Sequence, residues 1–167
     1  LWWKTSDYLY DPTESLFFRD SRYFAQREAN GKKVFWSRGN GWVLAGLARV
    51  LANTPKGDAH RARWETQFRA MAKRVAGLQT PVGSCISSLL DPTSFPAAET
   101  SGTGFFCYAL AGGIRDGLLN RATYEPVIRK AFAKLCDSID PSGRLGYVQP
   151  IGQDPRTVSP FDTDSYG

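Results

Sequence analysis

The 167 residues include 21 lysines and arginines against 16 acidic residues, and 42% of the chain is hydrophobic. This composition is ordinary for one globular domain with a sizeable core, and no run approaches the about 20 apolar residues that a membrane-spanning helix needs. The net charge of +5 comes from scattered basic residues. An acidic small substrate or simple solubility explains this charge as readily as nucleic acid does, so we expect neither nucleic acid nor a membrane as a partner.

The predicted helices, taken in chain order, are of two kinds. After a short helix at Leu1–Tyr8, Gly41–Ala52 is apolar nearly all the way round, and so is Gly104–Leu119. Such helices must be covered on more than one side. By contrast, Ala59–Leu78 and Thr123–Ser138 each carry a single apolar stripe at steps of three and four, which is typical of half-exposed helices.

A weak internal repeat spaces these helices. Three small and polar clusters, Ser37–Trp42, Glu99–Gly104 and Asp162–Gly167, begin 62 and then 63 residues apart. Each follows a turn signalled by Asp, Pro or Gly and a partly apolar run. A period of this length fits a helical hairpin plus a long loop.

The alternation of sandwiched and half-exposed helices predicts concentric layers. We therefore expect one all-α domain over residues 1–167, a toroid of helical hairpins with apolar inner helices, amphipathic outer helices and long loops with short strands. An ordinary helical bundle is the alternative. Small residues would let the inner helices approach each other closely, and these are Ala45, Gly46, Ala48, Ala109, Ala111, Gly112 and Gly113.

The stretch "VFWSRGNGW" (34–42) places polar and aromatic groups where an inner helix begins. Unsatisfied backbone N–H groups at a helix start favour an anionic ligand, and Arg38 adds a planar fork for a carboxylate. Trp36 and Trp42 offer flat apolar faces to a sugar ring, while Asn40 can donate to and accept from hydroxyls. The alternatives are that Trp42 packs in the core and that Arg38 pairs with Glu99.

Three further residues lie where the same end of the array is expected. Arg19 follows an aromatic run, and either contact with the ligand or a surface position fits it. Thr100 and Ser101 could contact the ligand or cap the next inner helix. Carboxylates for acid–base work or capping also occur in the clusters, at Glu99, Asp162 and Asp164.

The residues of this motif resemble a known family. "VFWSRGNGWVLAGLARVLANTP", "SLLDPTSFPAAETSGTGFFCYALAGGIRDGLLNRATYEPV" and "GYVQPIG" are similar to the unsaturated rhamnogalacturonyl hydrolases of glycoside hydrolase family 105, relatives of the unsaturated glucuronyl hydrolases of family 88. The resemblance covers essentially the whole chain. The W-x-R-x-N-G-W core followed at this distance by E-T-S is its most specific part.

The resemblance implies an (α/α)6 toroid with an active site in the funnel at one end. The implied reaction releases a 4,5-unsaturated uronic acid from the non-reducing end of an oligosaccharide left by a polysaccharide lyase. In the family an aspartic acid protonates the C4–C5 double bond and activates water for addition at C5, and the hemiketal then collapses. This chemistry needs no metal or cofactor, which suits a chain with one histidine, His60, and three widely spaced cysteines.

Carried over residue by residue, the resemblance makes Trp36, Arg38, Asn40 and Trp42 the substrate-contacting motif. Arg19 takes the place of a histidine that often lies near the substrate in the family. The implied glycan is rhamnogalacturonan-type, with ulvan and glycosaminoglycan fragments as the other acidic oligosaccharides to consider.

The family's catalytic aspartate would lie upstream of Leu1, so no catalytic residue is identified in this chain. The predicted helices are also fewer than a closed toroid needs. We therefore expect an internal piece of a larger enzyme, completed by its remainder or by self-association, in a bacterial periplasm or cytoplasm. A non-catalytic carbohydrate-binding or scaffold module for acidic sugars is the alternative.

Overall fold

A computed structural model describes residues 1–163, so most of the third cluster, including Asp164, lies outside the described residues. The described part is mainly helical, which confirms the all-α prediction. Its helices are α1 (Trp2–Leu9), α2 (Ser37–Asn53), α3 (Arg61–Gly77), α4 (Thr100–Arg115) and α5 (Arg121–Asp137). No helix of this part combines the length and apolar character needed to cross a bilayer.

The loops contain two short antiparallel strand pairs. β1 (Tyr10–Asp11) pairs with β2 (Leu16–Phe17), and β3 (Cys85–Ile86) pairs with β4 (Ala98–Glu99). The β2 strand leads towards the start of α2, and β4 runs directly into α4. β4 therefore ends where α4 begins, whereas β2 lies against the start of α2 in space and is separated from it in the chain by a loop.

The helices form two hairpins, α2 with α3 and α4 with α5, and the most extensive helix contact is between α2 and α4. Nine of the 17 residues of α2 and nine of the 16 residues of α4 are buried. In α5 the only buried residue is Ala131. The inner and outer layers predicted from hydrophobicity are thus present, since the apolar helices are sandwiched and the striped helices are half exposed.

The observed inner helices both begin four residues earlier than predicted. The polar clusters therefore form the first turns of α2 and α4 rather than preceding them. α4 also ends at Arg115, four residues before Leu119, because Gly117 adopts a positive φ of 72° and the backbone N–H groups of Leu118 and Leu119 both donate to the Gly113 carbonyl. This closure is typical of a glycine-terminated helix.

Candidate functional site

The starts of the two inner helices lie side by side. At Gly102 in the first turn of α4, a Cβ atom would meet the Ser37 hydroxyl of α2 in close contact. One turn further along, Trp42 of α2 contacts Phe105 of α4, with ring centroids 4.3 Å apart and the ring planes tilted by 42°. The polar clusters that the sequence separates by 62 residues thus form one end of the array.

Asn40 is buried in this end, with 1% of its surface exposed. Its Oδ1 accepts from the backbone N–H of Phe17 at 2.7 Å, and its Nδ2 donates to the Phe17 carbonyl at 3.0 Å and to the Trp36 carbonyl at 3.0 Å. The amide therefore serves as a partner for the backbone of β2. Among the described residues, Asn40 holds the β2 strand against the first turn of α2.

Arg38 is also buried, with 2% of its surface exposed. Its Nη2 donates to the carbonyls of Gln149 and Pro150, and its guanidinium lies 5.2 Å from the centre of the Trp36 ring. The indole N–H of Trp36 donates to Oε1 of Gln149 at 3.0 Å. Both motif side chains are therefore held by the loop that follows α5.

Glu99 is the N-cap of α4. Its carboxylate accepts from the backbone N–H groups of Ser101 and Gly102, and also from the Ser101 hydroxyl and the backbone N–H of Gln149. The negative charge of Glu99 stabilises the positive end of the α4 dipole. A direct ion pair between Arg38 and Glu99 was one alternative from the sequence. In the structure the backbone of Gln149 bonds to both residues, with its N–H donating to Glu99 and its carbonyl accepting from Arg38.

Thr100 and Ser101 are buried beside this cap. The Thr100 hydroxyl donates to the carbonyl of Gly146 at 2.8 Å, and the Ser101 hydroxyl donates to Glu99 at 2.5 Å. Of the capping residues that the sequence suggested, Glu99 therefore caps α4, and Thr100 and Ser101 do not. Both hydroxyls bind groups of the chain itself.

A cavity of about 180 Å³ lies between α1, β2 and the first turn of α2. It brings together three residues of the sequence prediction, Arg19, Trp36 and Asn40, whereas Arg38, Trp42, Thr100 and Ser101 do not line it. Its remaining walls are mainly apolar and include three aromatic residues, Trp2, Phe17 and Phe18. Aromatic faces beside a cation suit a sugar ring that carries a carboxylate.

Arg19 is the cation of this cavity and is partly exposed, with 39% of its side-chain surface accessible. It forms an ion pair with Asp20, which also binds Arg22. The side-chain bond from Arg22, followed by that from Arg19, holds the pKa of the Asp20 carboxyl well below its usual range. Asp20 therefore remains ionised and orients both arginines.

Trp42 does not line the cavity. It lies at the surface of α2, 51% exposed and in contact with Phe105. It is thus neither in the core nor beside Arg19 and Trp36. Trp42 and the partly buried Phe105 together form an apolar contact between α2 and α4.

Two groups of residues were missed by the sequence reasoning. Gln149 links Trp36, Arg38 and Glu99, and the only signal for it was its place in the "GYVQPIG" segment quoted for the family resemblance. The second group is the pair of carboxylates Glu28 and Asp91. Burial and, after it, the charge of Asp91 raise the pKa of Glu28, although a hydrogen bond from Ser88 lowers it.

Within residues 1–163 no cluster of three or more histidine, cysteine, aspartate or glutamate side chains is arranged to hold a metal ion. The polar groups of the site are instead a guanidinium, an indole N–H and amides. The Arg19 guanidinium can bind an anionic ligand by charge and the Trp36 ring can stack on a sugar, whereas the Trp36 indole N–H and the Asn40 amide are bound within the chain.

The chain is similar to proteins of known classification. It is 43% identical over 170 residues to an unsaturated 3S-rhamnoglycuronyl hydrolase from Formosa agariphila, covering 98% of this chain and 45% of that protein. Its structure matches a glycosyl hydrolase family 88 protein from Bacteroides vulgatus with a TM-score of 0.93 and 37% identity, covering 99% of this chain and 49% of that one. The chain thus spans about half the length of these relatives.

The fold is shared more widely. A Salmonella enterica protein described as a possible member of family GH105 matches with a TM-score of 0.76 and 23% identity, over 95% of this chain and 44% of that one. The predicted helical-hairpin fold, part of an (α/α) toroid, is therefore confirmed, and the likeness to family 105 is one of fold. Because the profile of Glycosyl Hydrolase Family 88 matches residues 2–166, the chain belongs to that family.

Proposed function

We propose that this chain forms part of a hydrolase that releases a 4,5-unsaturated uronic acid from an oligosaccharide in which that acid is linked to rhamnose. The observation that carries the proposal is the 43% identity, over 98% of the chain, with an unsaturated 3S-rhamnoglycuronyl hydrolase. The cavity supports it, because aromatic side chains and an accessible cation occur together at the start of the inner helix α2.

In this proposal the residues of the chain have different tasks. Trp36 contacts the face of the sugar ring, and Arg19 binds the uronate carboxylate. Asn40 and Arg38 hold the backbone and the indole that shape the cavity. Trp42 extends the apolar surface, while Thr100 and Ser101 complete the capped start of α4 beside it.

The proposed reaction also needs a carboxylic acid that donates a proton to the enol-ether double bond. Among the described residues, none of those that line the cavity is a carboxylic acid. We therefore propose that this chain supplies binding groups to the funnel and that the acid lies outside the described residues. The chain would then be completed by further polypeptide or by a second copy.

The absence of a carboxylic acid from the described residues that line the cavity favours a second candidate. This candidate is a carbohydrate-binding module that recognises acidic sugars without cleaving them. Incubation of an unsaturated uronyl–rhamnose disaccharide with the complete assembly, in which the proposed acid is supplied, separates the two candidates. Loss of the enol-ether absorbance supports the hydrolase. Binding measured by calorimetry without that loss supports the module, and the absence of both contradicts both.

The binding part of the proposal predicts a specific effect of Arg19→Ala. Loss of a charge-assisted bond to the uronate should weaken binding by about 1.5–3 kcal/mol, roughly tenfold to a hundredfold. Isothermal titration with the same disaccharide measures the change. Arg22→Ala is the matched control, since Arg22 also pairs with Asp20 but does not line the cavity. Equal affinities of the two variants would contradict the assignment of Arg19.

A further inference from the structure

Gln149 is fully buried, with 0% of its surface exposed, and its side-chain amide is bound on both sides. Its Oε1 accepts from the Trp36 indole N–H and from the Ser87 hydroxyl, while its Nε2 donates to the Asp154 carbonyl at 2.8 Å. A neutral amide is the side chain that accepts on one atom and donates on the other.

The backbone of the same residue binds both inner helices. Its N–H donates to Glu99, the cap of α4, and its carbonyl accepts from Arg38 in the first turn of α2. One residue of the loop after α5 therefore connects the starts of α2 and α4. Ser87 extends this connection, since its hydroxyl also accepts from the backbone N–H of Arg156 at 2.9 Å.

We infer that Gln149 is a positioning residue for acidic-sugar binding, which it supports by fixing the plane of the Trp36 indole and the place of Arg38. The inference rests on the proposed function for the sugar itself. The indole of Trp36 lines the cavity, and Gln149 does not. Gln149 therefore acts on the ligand through Trp36, since an indole held by its N–H presents one fixed face to a sugar ring.

The test replaces the amide without changing the length of the side chain. In Gln149→Met the indole N–H of Trp36 loses its acceptor, so its cross-peak in a ¹H–¹⁵N spectrum should shift and its exchange with water should become faster. The cross-peak is identified by its loss in Trp36→Phe. Gln153→Met is the matched control, because Gln153 lies in the same loop, is exposed, and its side chain accepts only from Arg22 among the described residues.

The second readout is affinity for an unsaturated uronyl–rhamnose disaccharide. Gln149→Met should weaken binding at least tenfold in the otherwise unchanged chain and much less in the Trp36→Phe background, because the two changes remove the same contact.

An unshifted Trp36 cross-peak in Gln149→Met, or an equal loss of affinity in both backgrounds, would overturn the inference. If Gln149→Met does not fold, Gln149→Asn takes its place, since it keeps the amide but shortens its reach. If the unchanged chain binds no unsaturated disaccharide, the proposed function fails, while the cross-peak still decides whether Gln149 orients Trp36.

Discussion

Asn40 shows how one side chain can complete a strand. It binds both the N–H and the carbonyl of Phe17, as a neighbouring strand would, at 2.7 and 3.0 Å. The asparagine of the W-x-R-x-N-G-W motif thus shapes the cavity by fixing β2, whose Phe17 forms part of the wall. A buried amide engaged in this way is costly to remove because its backbone partners are left without bonds.

Replacing Asn40 with alanine should therefore lower the free energy of unfolding by about 2–4 kcal/mol. Urea denaturation monitored by circular dichroism measures the change. Asn53→Ala is the control, because Asn53 is exposed and its side chain binds only the Arg49 carbonyl among the described residues. It should alter stability by no more than about 0.5 kcal/mol. Similar losses in both variants would show that the Phe17 contacts contribute little.

The inner helix α4 illustrates why small residues occur where they do. A Cβ atom at Gly113 would lie 2.7 Å from Leu119 Cδ1 and 2.9 Å from Phe68 Cε1, so this glycine is needed for packing against α3 and the segment that follows α4. At Gly112 a Cβ atom would meet Ala48 of α2 at an ordinary 3.9 Å. Gly46 has no neighbour within 4 Å of that position. The tight contacts between the two inner helices are instead at Gly41, against Phe105, and at Gly102, against Ser37, and neither glycine belongs to the predicted set.

Gly113→Ala should destabilise the chain by about 1–3 kcal/mol, because the added methyl group overpacks a rigid contact. Gly104→Ala in the same helix meets no atom within 4 Å and should stabilise it by about 0.5–1 kcal/mol through helix propensity. Thermal and urea unfolding of the two variants should show opposite changes in the free energy of unfolding, a decrease for Gly113→Ala and an increase for Gly104→Ala. Equal effects would mean that the α3–α4 contact adjusts without cost.

At the scale of the whole molecule, ion pairs connect the loops to the helical array. Lys33 pairs with the buried Asp11 and links two loops, and Arg74 of α3 pairs with Glu14 in the β1–β2 turn. Burial alone would raise the pKa of Asp11, but the bond from Lys33 and the backbone N–H groups of Glu14 and Thr13 outweigh it and lower the pKa below its ordinary value.

This lowered pKa predicts loss of stability in acid. A carboxyl group whose pKa is lower in the folded state stabilises that state above its unfolded pKa, near 4 for aspartate, and the contribution is lost as the pH falls through the folded value. The free energy of unfolding, measured by urea titration from pH 7 to pH 3, should therefore decrease below about pH 4.

The variant Asp11→Asn assigns part of this decrease. It should be less stable than the unchanged chain at pH 7 and show a shallower decline in acid, because it lacks the ionised partner of Lys33. Asp7→Asn, which removes an exposed carboxylate paired with the exposed Arg63, should have little effect. An identical pH dependence in Asp11→Asn and the unchanged chain would contradict the role of this pair.

The sequence by itself determined the layered helical fold and the end of the array where polar groups gather. Hydrophobic periodicity is a local property, and it correctly separated α2 and α4 from α3 and α5. The 62-residue repeat likewise placed the clusters at the starts of inner helices. Helix ends were displaced by up to four residues, because polar first turns and the glycine closure at Gly117 carry no hydrophobic signal.

Only the tertiary structure decided which polar groups meet. Trp36 and Gln149 are 113 residues apart in the chain, and Asn40 and Phe17 are 23 apart. An amide can bind a sugar hydroxyl or a peptide group with the same atoms, so the residue type alone does not choose between ligand and backbone. Burial and distance make that choice, and they arise from the packing of the hairpins and the loop after α5.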